Sequence, residues 1–419
     1  MKQLTAVLLG AGDRGSNAYA SYAINHPHEL KFVAVADPNE KRRAIFADHH
    51  QLADEQLYHS WEEVLAKPKL ADVILICTQD RMHFEPTMAA LEKGYHVLLE
   101  KPMSPDPNEC IKMGQAAEKY DRLLSICHVL RYTPFWSTMK KTIDEGRIGE
   151  IVSVQLNENV GYLHMAHSFV RGNWNREEIS SPMILAKSCH DMDILSWLVD
   201  QPCLRVSSFG SLKYFRQENA PEGSTDYCLD GCEVYAQCPF YAPRFYLGEG
   251  KEWARKITED VSQEGIIKAL ETGPYGRCVW RSDNNVVDHQ VVNLEFVGGA
   301  TATFSMSGFT HDISRSVQVM GTKGEIRGYM EDNVFTVYDF LTKEEQEFRV
   351  HPPEDQHSGG DTGLMRHFLH EVRQYGGNQG LTSAEQAVEG HMMAFAAEES
   401  RKANGESIDL VLFRERYRQ

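Results

Sequence analysis

The chain has 419 residues, a length that accommodates two or three domains, each with a sizeable core. Its 42% hydrophobic and 25% charged residues are those of an ordinary folded protein and exclude disordered and collagen-like classes. A formal charge of -17, with no basic arm or Lys/Arg stripe, argues against nucleic-acid and anionic-membrane partners and points to small molecules as ligands.

In chain order, the first predicted element is the apolar run Ala6-Val7-Leu8-Leu9, a strand rather than a signal-peptide core because it is too short. It feeds Gly10-Ala11-Gly12-Asp13-Arg14-Gly15, a G-x-G-x-x-G that precedes a helix-compatible stretch. Gly10 permits a tight turn, Gly12 lets the backbone approach a pyrophosphate, and Gly15 lets the helix pack close to the strand with its positive end toward the phosphates. Alone the motif is weak. It gains weight from Phe32-Val33-Ala34-Val35-Ala36, a second strand followed at once by Asp37, where a carboxylate can accept the hydroxyls of an adenosine ribose. Asp37 favours NAD, since it would repel a 2'-phosphate; Arg42 and Arg43, one turn into the next helix, keep NADP as the alternative.

Up to about Leu130, strands at 73–76 and 97–99 alternate with helical stretches at 84–93 and 107–119, the latter opened by Ser104-Pro105-Asp106-Pro107. This alternation predicts a doubly wound α/β domain with a parallel sheet over residues 1–130. From Gly146 the texture changes to longer alternating runs, at 152–156, 290–296, 300–307, 317–320 and 334–338, which predict antiparallel sheet. Residues 131–419 therefore read as an α+β domain, closed by helices at 363–375 and 383–402. A segment at about 215–262, rich in Cys, Tyr, Pro and Gly, interrupts it. No stretch approaches the roughly 20 apolar residues of a membrane helix. Nine cysteines without a secretion signal suggest reduced thiols and a cytoplasmic location.

The chemistry-bearing residues follow the strands. Glu100-Lys101-Pro102 succeeds Val97-Leu98-Leu99, placing a lysine at the carboxyl end of a parallel strand, where open α/β sheets bind ligands. A lysine desolvated beside an oxidised nicotinamide can exchange a proton with a substrate hydroxyl; the plainer alternative is a turn lysine held by Glu100. His190 lies in a stretch from Met183 to Leu198 that is helical by its apolar spacing, with Asp193 one turn later to orient or charge the imidazole. The alternative is a histidine satisfying a polar patch between domains.

The combination of Gly10-x-Gly12-x-x-Gly15, Asp37, Thr78 with His83, Glu100-Lys101-Pro102 and His190-Asp191-Met192-Asp193 resembles the glucose-fructose oxidoreductase / inositol dehydrogenase (Gfo/Idh/MocA) family over most of the chain. Glu100-Lys101-Pro102 is the most specific part. The resemblance implies a Rossmann domain followed by an open-faced, mostly antiparallel sheet that builds homodimers or homotetramers, with the nicotinamide at the domain junction. It implies Lys101 and His190 as the catalytic pair, and a cofactor set of Gly10, Gly12, Asp13, Arg14, Gly15, Asp37, Thr78, His83, Glu100 and Lys101. One departure stands out. Dehydrogenases of this family commonly carry an aspartate four residues before the histidine, and here that residue is Ala186. Lys187 projects to roughly the same helix face and offers a cation, either for an anionic substrate group such as a carboxylate or sulfonate, or to depress the pKa of Lys101.

Further pocket candidates are His128, Arg131 and Tyr132 after the strand-like 124–126, and His164, His167, Arg171 and Trp174, a loop suited to sugars because an indole packs on C–H surfaces while Arg and His bind hydroxyls. Each is equally readable as a loop anchor. Cys228, Cys232 and Cys238, at spacings of four and six, make a structural zinc set with Cys189 as the fourth ligand; buried thiols without metal are the alternative. The expected function is an NAD-dependent oxidoreductase acting on a secondary hydroxyl of a sugar, cyclitol or glycoside. Two rivals are an NAD-dependent glycosidase working by transient C3 oxidation, elimination, hydration and re-reduction, and a non-catalytic dinucleotide sensor.

Overall fold

In the computed structural model the described residues are 2–353, 357–376 and 380–417. Six short strands open the chain: β1 (Leu4–Leu9), β2 (Leu30–Ala36), β3 (Leu57–Tyr58), β4 (Val73–Ile76), β5 (His96–Leu99) and β6 (Leu124–Ile126). All pair in parallel, in the order β3-β2-β1-β4-β5-β6. Continuous aliphatic runs such as Val73-Ile74-Leu75-Ile76, all fully buried, suit a sheet covered by helices on both faces. The strand order reverses between β1 and β4, and the crevice at such a switch point is where doubly wound sheets hold their ligands.

The second sheet has nine strands: β7 (Ile151–Asn159), β8 (Cys203–Ser211), β9 (His289–Phe296), β10 (Thr301–Ser307), β11 (Ser314–Gly321), β12 (Gly324–Tyr329), β13 (Val334–Asp339), β14 (Glu345–Arg349) and β15 (Ile408–Asp409). Their order is β14-β13-β12-β11-β7-β10-β9-β8-β15, antiparallel except for the parallel pair β7–β10. Strict alternation of buried and exposed residues along β9 and β10 marks a sheet packed on one face only. Helices Cys189–Val199 and Ala384–Lys402 lie on the packed face. The expected fold class, a Rossmann domain plus an α+β domain with an open-faced, mostly antiparallel sheet, is the one observed.

Two connections matter for the site. Helix Gly360–Arg373 returns to the first domain, where Leu364, Met365, Phe368 and Leu369 join the core around Leu4, Leu8 and Phe32. Between β8 and β9 the irregular segment builds a small core of its own from Cys228, Ala242, Phe245, Tyr246, Ala254, Ile266 and Leu270. The stretch 183–198, expected as one helix, is two. Helix Met183–Ala186 stops at Lys187, and a second helix begins at Cys189.

Candidate active site

The glycine loop follows β1 at the switch point. Gly10 has φ +90°, and a Cβ there would lie 2.5 Å from the Cys77 carbonyl oxygen; one on Gly15 would lie 2.2 Å from the Gly10 oxygen. Both glycines are therefore required by packing. Gly12 differs, because a Cβ on it would meet nothing within 4 Å, so the loop presents bare backbone to open space. Asp37 sits against this loop, accepting the Ala11 amide at 2.8 Å and the Asn39 amide at 2.8 Å. An open glycine face beside a buried carboxylate at the end of β2 fits a dinucleotide, with Gly12 toward the phosphates and Asp37 toward the adenosine ribose. Arg43 is turned inward onto the Asp37 carbonyl (2.5 Å) and is buried, whereas Arg42 stays exposed.

Behind the loop, Arg14 spends its guanidinium on Glu100 (2.7 Å) and Asp361 (2.7 Å), and Tyr19 donates to Glu100 at 2.6 Å. Burial pushes the Glu100 carboxyl up, but Arg14, Lys101 and the Tyr19 hydroxyl outweigh it and hold it below the usual range. Arg14 and Glu100 thus tie the glycine loop, the Glu-Lys-Pro turn and the returning C-terminal helix together. His83 braces the same turn, its ring nitrogens lying 2.7 Å from the Pro102 carbonyl and 3.1 Å from that of Thr78, a half-buried residue just after β4.

Lys101 leaves the end of β5 and donates to the Ala186 carbonyl at 2.8 Å. The interrupted helix explains this contact: the last carbonyls of Met183–Ala186 have no partners in a following turn and are available to outside donors. The backbone oxygen of Ala186 thus takes the ammonium at the residue where the family carries an aspartate. His190 lies in the first turn of the next helix, 8% exposed, with Nδ1 buried and unpartnered. Burial, with Lys101 second, holds its pKa well below the ordinary value, so the imidazole is neutral near pH 7.

Lys187 does not face a free anion site. Its Nζ lies 3.0 Å from Oε1 of Glu158, a fully buried residue of β7, and Glu158 is also 2.5 Å from Arg315 of β11. Arg315 reaches on to Asp191 at 2.8 Å. Two cations therefore face Glu158 and Asp191 beside His190, with Glu331 also in electrostatic reach of Arg315, so Lys187, expected to offer a cation to a substrate anion or to depress the Lys101 pKa, is already ion-paired. Asp193, expected to orient His190, instead holds Arg131 in a two-point pair of 2.7 Å each.

Other expected pocket residues are drawn inward. His128 is fully buried, its ring 5.7 Å from that of His190 and 5.5 Å from that of His391. The Tyr132 hydroxyl meets Thr382 at 2.9 Å. Arg171 anchors the irregular segment through the carbonyls of Arg277 (2.7 Å) and Phe240 (2.8 Å). His167 is 4% exposed, stacked on Tyr275 at 4.7 Å and bonded to the Tyr246 hydroxyl at 2.6 Å. Tyr132, His167 and Arg171, like Arg131 on Asp193, are held by partners inside the protein, whereas both ring nitrogens of His128 are buried without a hydrogen-bond partner. Trp174 is half-buried, its Nε1 3.4 Å from Asp80, and His164 is half-buried against Trp253 at 5.1 Å.

The zinc expectation is corrected. Among the described residues no three His, Cys, Asp or Glu side chains are placed to hold a metal ion. Cys189 is buried in the helix beside His190, away from the irregular segment, and its thiol is pushed up to about 12 by burial. Cys228, Cys232, Cys238 and also Cys278 line one small cavity as free thiols, and burial raises the pKa of Cys238 and Cys278.

A Rossmann domain with an open glycine face and, where the second domain adjoins it, a lysine in electrostatic reach of a neutral histidine are what a dinucleotide-dependent oxidoreductase uses. Family comparison narrows this. Residues 4–128 match the NAD-binding Rossmann domain of the Gfo/Idh/MocA oxidoreductases and residues 140–410 their C-terminal alpha/beta domain, so the chain belongs to that family. Among curated relatives, YteT of Bacillus subtilis (strain 168), which carries an oxidoreductase name, is 26% identical over 314 residues, 70% of this chain and 71% of the relative. D-glucoside 3-dehydrogenase of Escherichia coli (strain K12) is 29% identical over 153 residues, 35% of this chain and 41% of that protein, so the chain matches under half of its length. Among solved structures, levoglucosan dehydrogenase with NADH and levoglucosan has a TM-score of 0.71 at 17% identity, covering 97% of this chain and 99% of that one. An Agrobacterium radiobacter oxidoreductase with NAD+, L-tartaric acid and magnesium gives 0.71 at 15% identity, covering 98% and 99%. At these identities the structures establish the shared fold.

Proposed function

We propose that this chain oxidises a secondary hydroxyl of a sugar, cyclitol or glycoside, with NAD as the hydride acceptor. The observation that carries the reading is the Lys101 ammonium, fixed at 2.8 Å on the Ala186 carbonyl at the carboxyl end of the parallel sheet, with neutral His190 one turn beyond. Bound NAD supplies the chemistry of hydride acceptance at its nicotinamide. The chain's own residues manage the proton. Lys101 donates a hydrogen bond to the substrate oxygen, and His190, held neutral by burial, receives the proton as the carbinol C–H bond gives up its hydride. Asp37 supports NAD over NADP because a 2'-phosphate beside that carboxylate would be repelled. Relatives named as inositol 2-dehydrogenase, 26% identical over 230 residues, and D-glucoside 3-dehydrogenase support the substrate class.

The exposed face of the nine-stranded sheet supports a homodimer or homotetramer. Phe209 and Val291 are cross-strand neighbours on it, 54% and 42% exposed, with Thr303 and Asn293 beside them and the exposed Arg205–Glu295 pair farther along the same strands. No helix among the described residues is long and apolar enough to cross a membrane, and the free thiols suit a reducing cytoplasm. The test of the function is an NMR time course of the protein with NAD and a panel of free sugars, cyclitols and glycosides, with NADH absorbance followed in parallel. A keto product appearing in step with NADH is the expected result. Aglycone release without NADH would establish the redox-neutral glycosidase instead.

A further inference from the structure

Among the described residues the irregular segment between β8 and β9 forms ion pairs with the Rossmann domain at Asp13 and at Lys41, on either side of the dinucleotide crevice. Lys256 Nζ lies 4.0 Å from Oδ2 of Asp13, the residue of the glycine motif that opens the following helix. Three residues later Glu259 pairs with Lys41 at 2.7 Å, on the helix that follows Asp37. The base of this stretch is fixed: Ala254 is fully buried in the segment's own core, and Trp253 packs against His164 at 5.1 Å and His167 at 4.7 Å. Lys256 lies over the Trp253 ring at 4.7 Å, and His164 is in electrostatic reach of both Lys256 and Lys187. Residues 251–259 therefore run from His164 and His167 to the helix that follows Asp37.

Asp13 poses an electrostatic problem that this arrangement answers. An acidic side chain in the first turn suits a bare helix dipole, but it opposes the phosphates that the open Gly12 face would receive. A cation beside it offsets the repulsion. We propose that residues 251–259 form a strap that closes over the bound dinucleotide, with Lys256 set between Asp13 and the pyrophosphate and the Lys41–Glu259 pair as its latch. Both contacts are between exposed side chains, 75% and 52% exposed at the latch and 48% and 41% at Asp13, so they are weak and reversible, as a strap that must release cofactor requires. The proposal rests on the cofactor reading given above and adds to it a residue from outside the Rossmann domain.

The experiment measures NADH affinity and release by nicotinamide fluorescence and stopped flow, without substrate. Lys256→Glu is expected to weaken NADH roughly tenfold, the scale of one partly screened charge contact, while adenosine, which lacks the pyrophosphate, binds as to the unaltered protein. Lys41→Glu and Glu259→Lys are each expected to speed NADH release several-fold, and the double swap to restore it. Lys256→Met serves should the glutamate variant not fold. Unchanged NADH affinity and release in the Lys256 and latch variants would overturn the strap, as would equal losses for NADH and adenosine. An unaltered protein that binds neither NADH nor NADPH would overturn the cofactor reading itself, a result distinct from a failed strap.

Discussion

Replacing Glu158 by Gln removes one carboxylate from the buried group beside His190. Lys187 and Arg315, 3.0 Å and 2.5 Å from Glu158, are then left with Asp191 and, in electrostatic reach of Arg315, Glu331, and the excess positive charge has little water to turn to, since Glu158 is fully buried and the Lys187 side chain is 15% exposed. Breaking a buried ion pair from one side costs about 3–5 kcal/mol, and the partial exposure of Lys187 puts this case near the lower figure. The double variant Glu158→Gln/Lys187→Met removes one charge of each sign and leaves Arg315 with Asp191, so its loss should fall short of the sum of the singles by about 2 kcal/mol. Urea unfolding of the four proteins measures this coupling directly. A loss under about 1 kcal/mol for Glu158→Gln, additive with Lys187→Met, would refute the reasoning and return Lys187 to the role of a free cation for a substrate anion.

Acid should destabilise the protein early. His167 and His391 are held at about 3, and His128 and His190 well below the ordinary value, in each case chiefly by burial. Unfolded, each takes up a proton near pH 6.5, so between that pH and its folded value the unfolded state binds more protons. Stability is therefore lost as pH falls below about 6.5, by about 2 kcal/mol per such histidine on reaching pH 5, and equal urea midpoints at pH 7.5 and pH 5 would contradict this. Gly12→Ala should keep the thermal midpoint, because its φ is -74° and its Cβ meets nothing, yet weaken NADH on the order of tenfold by filling the face the phosphates need; unchanged binding would show that face is not the cradle. Purified protein should carry no stoichiometric zinc and keep its thermal midpoint in EDTA, whereas one zinc per chain would contradict the placement of Cys189, Cys228, Cys232 and Cys238.

The Rossmann half was legible because its signals are local: a glycine motif, aliphatic strands, and an acidic residue directly after β2. The helix break at Lys187-Ser188 was not, because apolar spacing continues across it. Glu158 and Arg315 were overlooked although each leaves a trace in the sequence. Along β7, Val154, Leu156 and Glu158 share one face, and along β11, Arg315, Val317 and Val319 do the same, so a charge on the apolar phase marks a buried partner. His128, Arg131, Tyr132, His167 and Arg171 were expected in the pocket because polar residues after strands often line clefts. Asp193, Thr382, Tyr246 and backbone carbonyls far along the chain draw Arg131, Tyr132, His167 and Arg171 into the interior, while His128 is buried without a hydrogen-bond partner. The cysteine spacing was ambiguous from the start, since buried thiols and metal ligands use the same residue.

The central claim is that Lys101 and His190 handle the proton of a hydroxyl oxidised by NAD. It is tested most directly by single-turnover NADH formation in Lys101→Met, using the substrate that the panel identifies and with NADH affinity measured alongside. The account predicts a rate lowered about 10²–10⁴-fold with NADH affinity within a few-fold of the unaltered protein. A Lys101→Met enzyme that forms NADH at the full rate would contradict it.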